Sequence, residues 1–180
     1  MTWQDEHLLR DSLRMMLLSE NLLLVLIRGE EEVSHRADVN GIYIFDIEEG
    51  YSQKHFYSGD YDEIAKASDD PSTIIASNKG RVDIFKLDNG QLSRTKTFTC
   101  SSDIEILLVA QSRAYVRNDD TDRVEVYSTI SGERLYLIGP LSGKATVAVT
   151  NGCELFLGYY SNRTGDRRGP PVRAYCLDGY

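Results

Sequence analysis

The sequence predicts an all-β fold made of about four repeated units, each a small antiparallel sheet. Three observations predict it. A five-residue pattern recurs four times, a glycine follows each copy at a nearly fixed distance, and the copies are evenly spaced along the 180 residues.

The copies are Ile42-Tyr43-Ile44-Phe45-Asp46, Val82-Asp83-Ile84-Phe85-Lys86, Val124-Glu125-Val126-Tyr127-Ser128 and Val172-Arg173-Ala174-Tyr175-Cys176. Each opens on a β-branched residue, has a small or branched apolar residue two later, and then an aromatic. A strand's side chains alternate between faces, so the first and third residues are expected on one buried face and the aromatic on the other. Gly50, Gly90, Gly132 and Gly179 follow the opening residues by 8, 8, 8 and 7 positions. Glycine supplies the positive φ that tight hairpins need, so each copy reads as a strand entering a hairpin. The copies start 40, 42 and 48 residues apart. That spacing fits a four-stranded β-propeller blade of roughly 40–50 residues.

In chain order the units are 1–49, 50–89, 90–131 and 132–180, within a single domain spanning 1–180. In the first, residues 12–18 and 22–28 flank a Ser19-Glu20-Asn21 turn and align with strand, turn, strand elsewhere. Thr2 with Asp5 resembles a helix-capping pair, and residues 3–18 include good helix formers, so a helix competes there. The second unit offers runs at 63–67 and 73–77. The third offers 104–110 and 114–117 before an Asp-rich turn at 118–122. The fourth offers 145–150 and 154–160. The runs of the last three units are rich in β-branched, aromatic or other apolar residues and are bounded by Gly, Asn, Asp or Pro, which mark strands.

With these residues in place the chain resembles the WD40-type β-propellers, in which the third strand of each blade ends in Trp-Asp before a turn. Phe45-Asp46 followed by Gly50 is the nearest copy. Phe85-Lys86, Tyr127-Ser128 and Tyr175-Cys176 keep the aromatic and lose the Asp, the only tryptophan is Trp3, and the Gly-His dipeptide of the family is missing. The resemblance is to a divergent member, with quinoprotein-like propellers as close competitors. It implies that each repeat begins with the outer strand of one blade and continues with three inner strands of the next. Residues 2–9 would then be an outer strand closing the blade whose third strand is 172–177. A closed four-bladed ring, half of an eight-bladed ring and a piece of a larger propeller all satisfy four units. Rings of this kind usually have seven or eight blades, which favours a partial propeller whose open blade edges would tend to self-associate.

Bulk chemistry narrows the function. The formal net charge is −8 and the pI about 4.9, which disfavours general nucleic-acid binding, since phosphate contacts need a basic surface. The N-terminal residues lack the pattern of a secretory signal, and the longest apolar run, 22–27, is far below the roughly 20 residues that cross a bilayer. Neither nucleic acid nor membrane is therefore expected as a partner. Cys100, Cys153 and Cys176 have no metal-ligand spacing and read as buried free thiols, with a Cys153–Cys176 bridge as the alternative. The expected compartment is the cytoplasm or nucleus.

No catalytic, metal or cofactor site is read from the residues. Residues 139–146 superficially resemble a phosphate-binding loop, but three residues separate the glycines instead of four, and Ala145 stands where Ser or Thr is needed. The Asp-rich turn at 118–122 matches no calcium loop and reads as turn chemistry. His7, His35 and His55 are isolated from other ligand-type residues. Asn162-Arg163-Thr164 fits a glycosylation acceptor only in a secreted protein.

Two long connections carry the functional expectation. Residues 29–40 contain Glu30, Glu31 and Glu32, and residues 161–171 contain Arg163, Arg167 and Arg168, preceded by Tyr159 and Tyr160. Both occupy the same place in the repeat, between second and third strands, so a propeller would present them on one face. Guanidinium groups recognise carboxylate or phosphate bidentately, and aromatic residues anchor interfaces. The expectation is a non-enzymatic protein–protein interaction scaffold with these residues at the contact. An enzyme or ligand binder using the funnel of a complete ring, and a fragment of a ubiquitin-ligase substrate receptor, are the competing readings.

Overall fold

The computed structural model describes residues 12–28, 40–100, 104–141, 144–159 and 172–177. These hold fifteen strands: β1 (Ser12–Leu17), β2 (Leu22–Arg28), β3 (Gly41–Asp46), β4 (Ser52–Ser58), β5 (Glu63–Lys66), β6 (Thr73–Asn78), β7 (Arg81–Asp88), β8 (Gln91–Thr99), β9 (Ile104–Ala110), β10 (Arg113–Asn118), β11 (Arg123–Ser128), β12 (Arg134–Ile138), β13 (Ala145–Thr150), β14 (Glu154–Tyr159) and β15 (Val172–Cys176). The described residues contain no helix. In the contested first unit, 12–17 and 22–28 are strands. The rest of the competing helix, residues 3–11, and the expected outer strand at 2–9 lie outside the described residues.

Consecutive antiparallel strands form four sheets, ordered β1-β2-β3-β4, β5-β6-β7-β8, β9-β10-β11-β12 and β13-β14-β15. The four repeated segments are the third strands, β3, β7, β11 and β15. Alternation sends their side chains both ways. Ile42 and Ile44 enter a core with Ile64, Ile74 and Phe85, between the first and second sheets. Val82 and Ile84 join Ala114, Val116 and Tyr127 between the second and third. Val124 and Val126 join Leu155, Leu157 and Tyr159 between the third and fourth.

The aromatic therefore points back toward the preceding sheet. Phe85 meets Tyr57 edge-on at 4.8 Å, and Tyr127 stacks on Phe98 at 4.4 Å between centroids. The layers stack in sequence order, each sheet's aliphatic face against the aromatic face of the next. The last copy departs from expectation. Val172 and Ala174 are exposed, because no described sheet follows to cover them.

A backbone irregularity repeats with the sequence. Where the third strand meets the fourth, the register shifts between Ile44 and Phe45, between Ile84 and Phe85, and between Val126 and Tyr127. The shift falls each time between the third and fourth residues of the repeated segment. Such bulges add one residue and increase local twist, which re-aims the outer strand. In the second sheet the extra residue is Thr95, whose hydroxyl donates to the Ile84 carbonyl at 3.1 Å.

The hairpin glycines adopt positive φ as the spacing predicts: 70° at Gly50, 77° at Gly90 and 80° at Gly132. Gly179 lies outside the described residues. Asn89 precedes Gly90 at φ 48°, the paired positive values of a twist-matched two-residue hairpin.

Candidate interaction surface

In every sheet the second-to-third connection leaves from the same end. Its strand ends are Arg28 and Gly41, Asn78 and Arg81, Asn118 and Arg123, and Tyr159 and Val172. Connections from one sheet to the next also run there, and they bring charge. Arg28 pairs with Asp60 at 3.6 Å and more closely with Asp62, while Asn78 donates its amide to the Asp60 carbonyl at 2.8 Å.

Arg117, at 2% exposure, is the largest buried side chain of this end. Its guanidinium reaches Asp119 at 2.6 Å and Glu105 at 2.5 Å, and donates to the backbone carbonyl of Ala145 in the fourth sheet. A planar fork with several donors is suited to serving three acceptors at once. The hydrogen bond from Arg117 holds Asp119 below the usual carboxylate range despite partial burial. The Asp-rich turn is backbone chemistry, as expected: the Asn118 side-chain oxygen accepts the Asp120 and Thr121 amides at 3.0 and 3.2 Å. Among the described residues no group of three His, Cys, Asp or Glu side chains is placed to hold a metal.

The first strands of three sheets are also joined. Glu63 on β5 accepts the Ile106 amide of β9 at 2.7 Å and lies 3.6 Å from Arg14 on β1. Burial raises the Glu63 carboxyl above its usual range, although the amide and Arg14 pull the other way.

Two buried acids occupy the second position of the repeated segment. Asp83, fully buried, accepts from Tyr61 at 2.8 Å, Thr97 at 2.5 Å and Arg81 at 2.7 Å. Burial alone would raise its pKa. The hydrogen bonds from Thr97, Tyr61 and Arg81 outweigh that and lower it. Glu125 accepts from Asn118 at 2.7 Å and Tyr127 at 2.5 Å. These carboxylates serve neighbours in their own sheets and, for Asp83, Tyr61 on the connection between β4 and β5, which satisfies them and fixes those neighbours.

At the opposite end of the sheets a cavity of about 260 Å³ lies between the second and third, lined by Asp70, Thr73, Lys86 and Lys96 among others. Asp70 is hydrogen-bonded by Lys86, Ser72 and Thr73, which hold its carboxyl far below the usual range. Its acceptors are thus already committed within the second sheet.

Of the residues expected at the partner contact, Glu30, Glu31, Glu32, Tyr160, Arg163, Arg167 and Arg168 lie outside the described residues. Tyr159 is described, and it is not at the surface. It is 2% exposed, packs in the core between the third and fourth sheets, and shares a 2.6 Å hydrogen bond with the Tyr175 hydroxyl. Alternation turns it inward with Leu155 and Leu157, so it anchors the fold and not a partner. Cys153 and Cys176 are exposed free thiols and not buried ones, and Cys100 is half-buried.

Sequence-ordered antiparallel sheets, three of four described strands and one of three, layered face to face with the first strands side by side, define a β-propeller fold. The chain is similar to a solved structure titled dihydro-heme d1 dehydrogenase NirN in complex with DHE, with a TM-score of 0.62 and 14% sequence identity. The match covers 93% of this chain and 36% of that one, so the chain spans about a third of that protein's length. No protein-family model and no curated protein matches the sequence.

Proposed function

We propose that the chain is a non-enzymatic protein-interaction scaffold of the WD40-like kind, acting in the cytoplasm or nucleus. Its partner docks on the sheet end that carries residues 29–40 and 160–171. One observation supports this most. At that end the second sheet joins its second and third strands through residues 79–80 and the third sheet through residues 119–122, whereas the first and fourth insert these two long connections. Rigid sheets that carry matched insertions are a common way to present binding residues.

The first insertion contributes Glu30, Glu31 and Glu32, and the second contributes Arg163, Arg167 and Arg168. Together they offer both signs of charge to a protein partner. The WD40-like assignment is supported by Asp46, whose carboxylate accepts the Glu49 amide at 3.1 Å and so fixes the turn after the aromatic-Asp pair.

The test is capture of cell proteins by the immobilised chain, identified by mass spectrometry and repeated with Arg167→Glu/Arg168→Glu. Capture should fall at least about tenfold, as for loss of a charged interface pair, with an unchanged melting temperature. Equal capture by both proteins would remove these arginines from the contact.

A further inference from the structure

We propose that the two end faces of the stack bind each other in a second copy of this chain, closing a ring of eight blade units. The three junctions within the chain follow one rule. The first and third residues of a repeated segment face the next sheet, and the aromatic faces the preceding one. Each terminal sheet keeps one half of that rule unmatched, since among the described residues no core joins the fourth sheet to the first.

The fourth sheet ends on an aliphatic face. Directly opposed residues in a sheet share a face, so Val147, Gly158 and Val172 form one row and Val149, Phe156 and Ala174 the next. Val147, Val149 and Val172 are 58%, 59% and 66% exposed. The first sheet begins on the aromatic kind of face. Met15, Val25, Tyr43 and Phe56 form one row across its four strands, and Leu17, Leu23 and Phe45 form another. Met15 and Leu17 are 63% and 57% exposed.

Val172 and Ala174 hold the positions that Val82 and Ile84 use against Tyr127, and Phe45 holds the position of Tyr127. The faces that would meet in a second copy are therefore the two kinds already paired three times within one copy. Contiguous apolar faces of this kind mark association sites. Head-to-tail contacts close into rings where the rotation permits. Propellers have about 4–8 blades, so two copies of four units complete a ring and a third would exceed the range. The contact uses sheet faces and leaves the open strand edges out of it.

Sedimentation equilibrium and light scattering of the 180-residue chain test this. The expected species has twice the 20.3 kDa of one chain, with no growth to larger species. Two variants separate the faces, both at exposed residues of first strands, which lie side by side at the internal junctions. Val147→Lys/Val149→Lys should be monomeric, with dimerisation weakened at least about 100-fold by charge placed in an apolar contact. It also reduces the net negative charge, so long-range repulsion cannot explain its dissociation. Met15→Glu/Leu17→Glu should be monomeric as well. An equimolar mixture should recover a dimer, because one copy contributes an intact first sheet and the other an intact fourth. Circular dichroism melts confirm that each variant is folded. A wild-type monomer up to about 100 µM, open polymers, or dimerisation of either variant alone would overturn the proposal.

Discussion

Glu63 on β5 accepts the backbone N–H of Ile106 on β9 at 2.7 Å, so a side chain of one sheet completes the backbone of the next. Adjacent sheets of a propeller share no strand hydrogen bonds. A directional bond across the junction therefore fixes the relative height of layers that apolar contact alone would let slide.

Replacing Glu63 separates its acceptor role from its charge. Glu63→Ala leaves the Ile106 amide without its acceptor and should cost about 1–3 kcal/mol in chemical denaturation. Glu63→Gln keeps an acceptor. The folded protein raises the Glu63 pKa, so it binds a proton more tightly than the unfolded chain, and that contribution is lost as pH rises through the folded value. Melting temperatures from about pH 4 to 7 should thus shift in favour of Glu63→Gln as pH increases.

The Asp83 network has the opposite pH sense. Its folded pKa is lowered, so its stabilisation is present above the unfolded value of about 3.9 and is lost as pH falls toward the folded one. Asp83→Asn should cost on the order of 2 kcal/mol and Tyr61→Phe about 1 kcal/mol. In a double-mutant cycle the two should fall short of additivity by at least about 0.5 kcal/mol, because they share one hydrogen bond. Additive costs would mean that the Tyr61–Asp83 bond contributes nothing.

Arg117 links the third sheet to the fourth through Ala145. Arg117→Met removes the donor fork and should destabilise by about 3 kcal/mol, the range for breaking a buried ionic network. Hydrogen exchange should quicken most over β13 and β14 while β5–β8 keeps its protection. Arg117→Lys should recover little, since a point charge cannot serve Asp119, Glu105 and Ala145 together.

Thiol reactivity should split two to one. Burial pushes the Cys100 thiol up to about 11, whereas Cys153 and Cys176 are exposed. At pH 8 a disulfide reagent should titrate two thiols quickly and the third at least about 100-fold more slowly, since the thiolate is the reacting species. Cys100→Ser should leave the fast phase intact.

Strand positions and hairpin glycines were legible in the sequence because both are local. Alternation over five residues defines two faces, and Asn89-Gly90 needs no distant partner to adopt its turn. Tyr159 was misjudged for the converse reason: its nearness to the basic connection is local, but its orientation depends on alternation relative to Leu155 and Leu157. The bulges before Phe45, Phe85 and Tyr127 left no signal in composition, since each is a property of the pairing between two strands.

The repeat by itself determined that this protein is a succession of similar antiparallel sheets, each with an aliphatic and an aromatic face. Only the tertiary structure decided which faces are covered. Val82 and Val172 occupy equivalent positions in the repeat, yet one is fully buried and the other 66% exposed. Burial belongs to the neighbouring layer and not to the strand. The same holds for Asp83 and Glu125, whose polar side chains are tolerated inside because Tyr61, Thr97 and Asn118 are brought to them by folding.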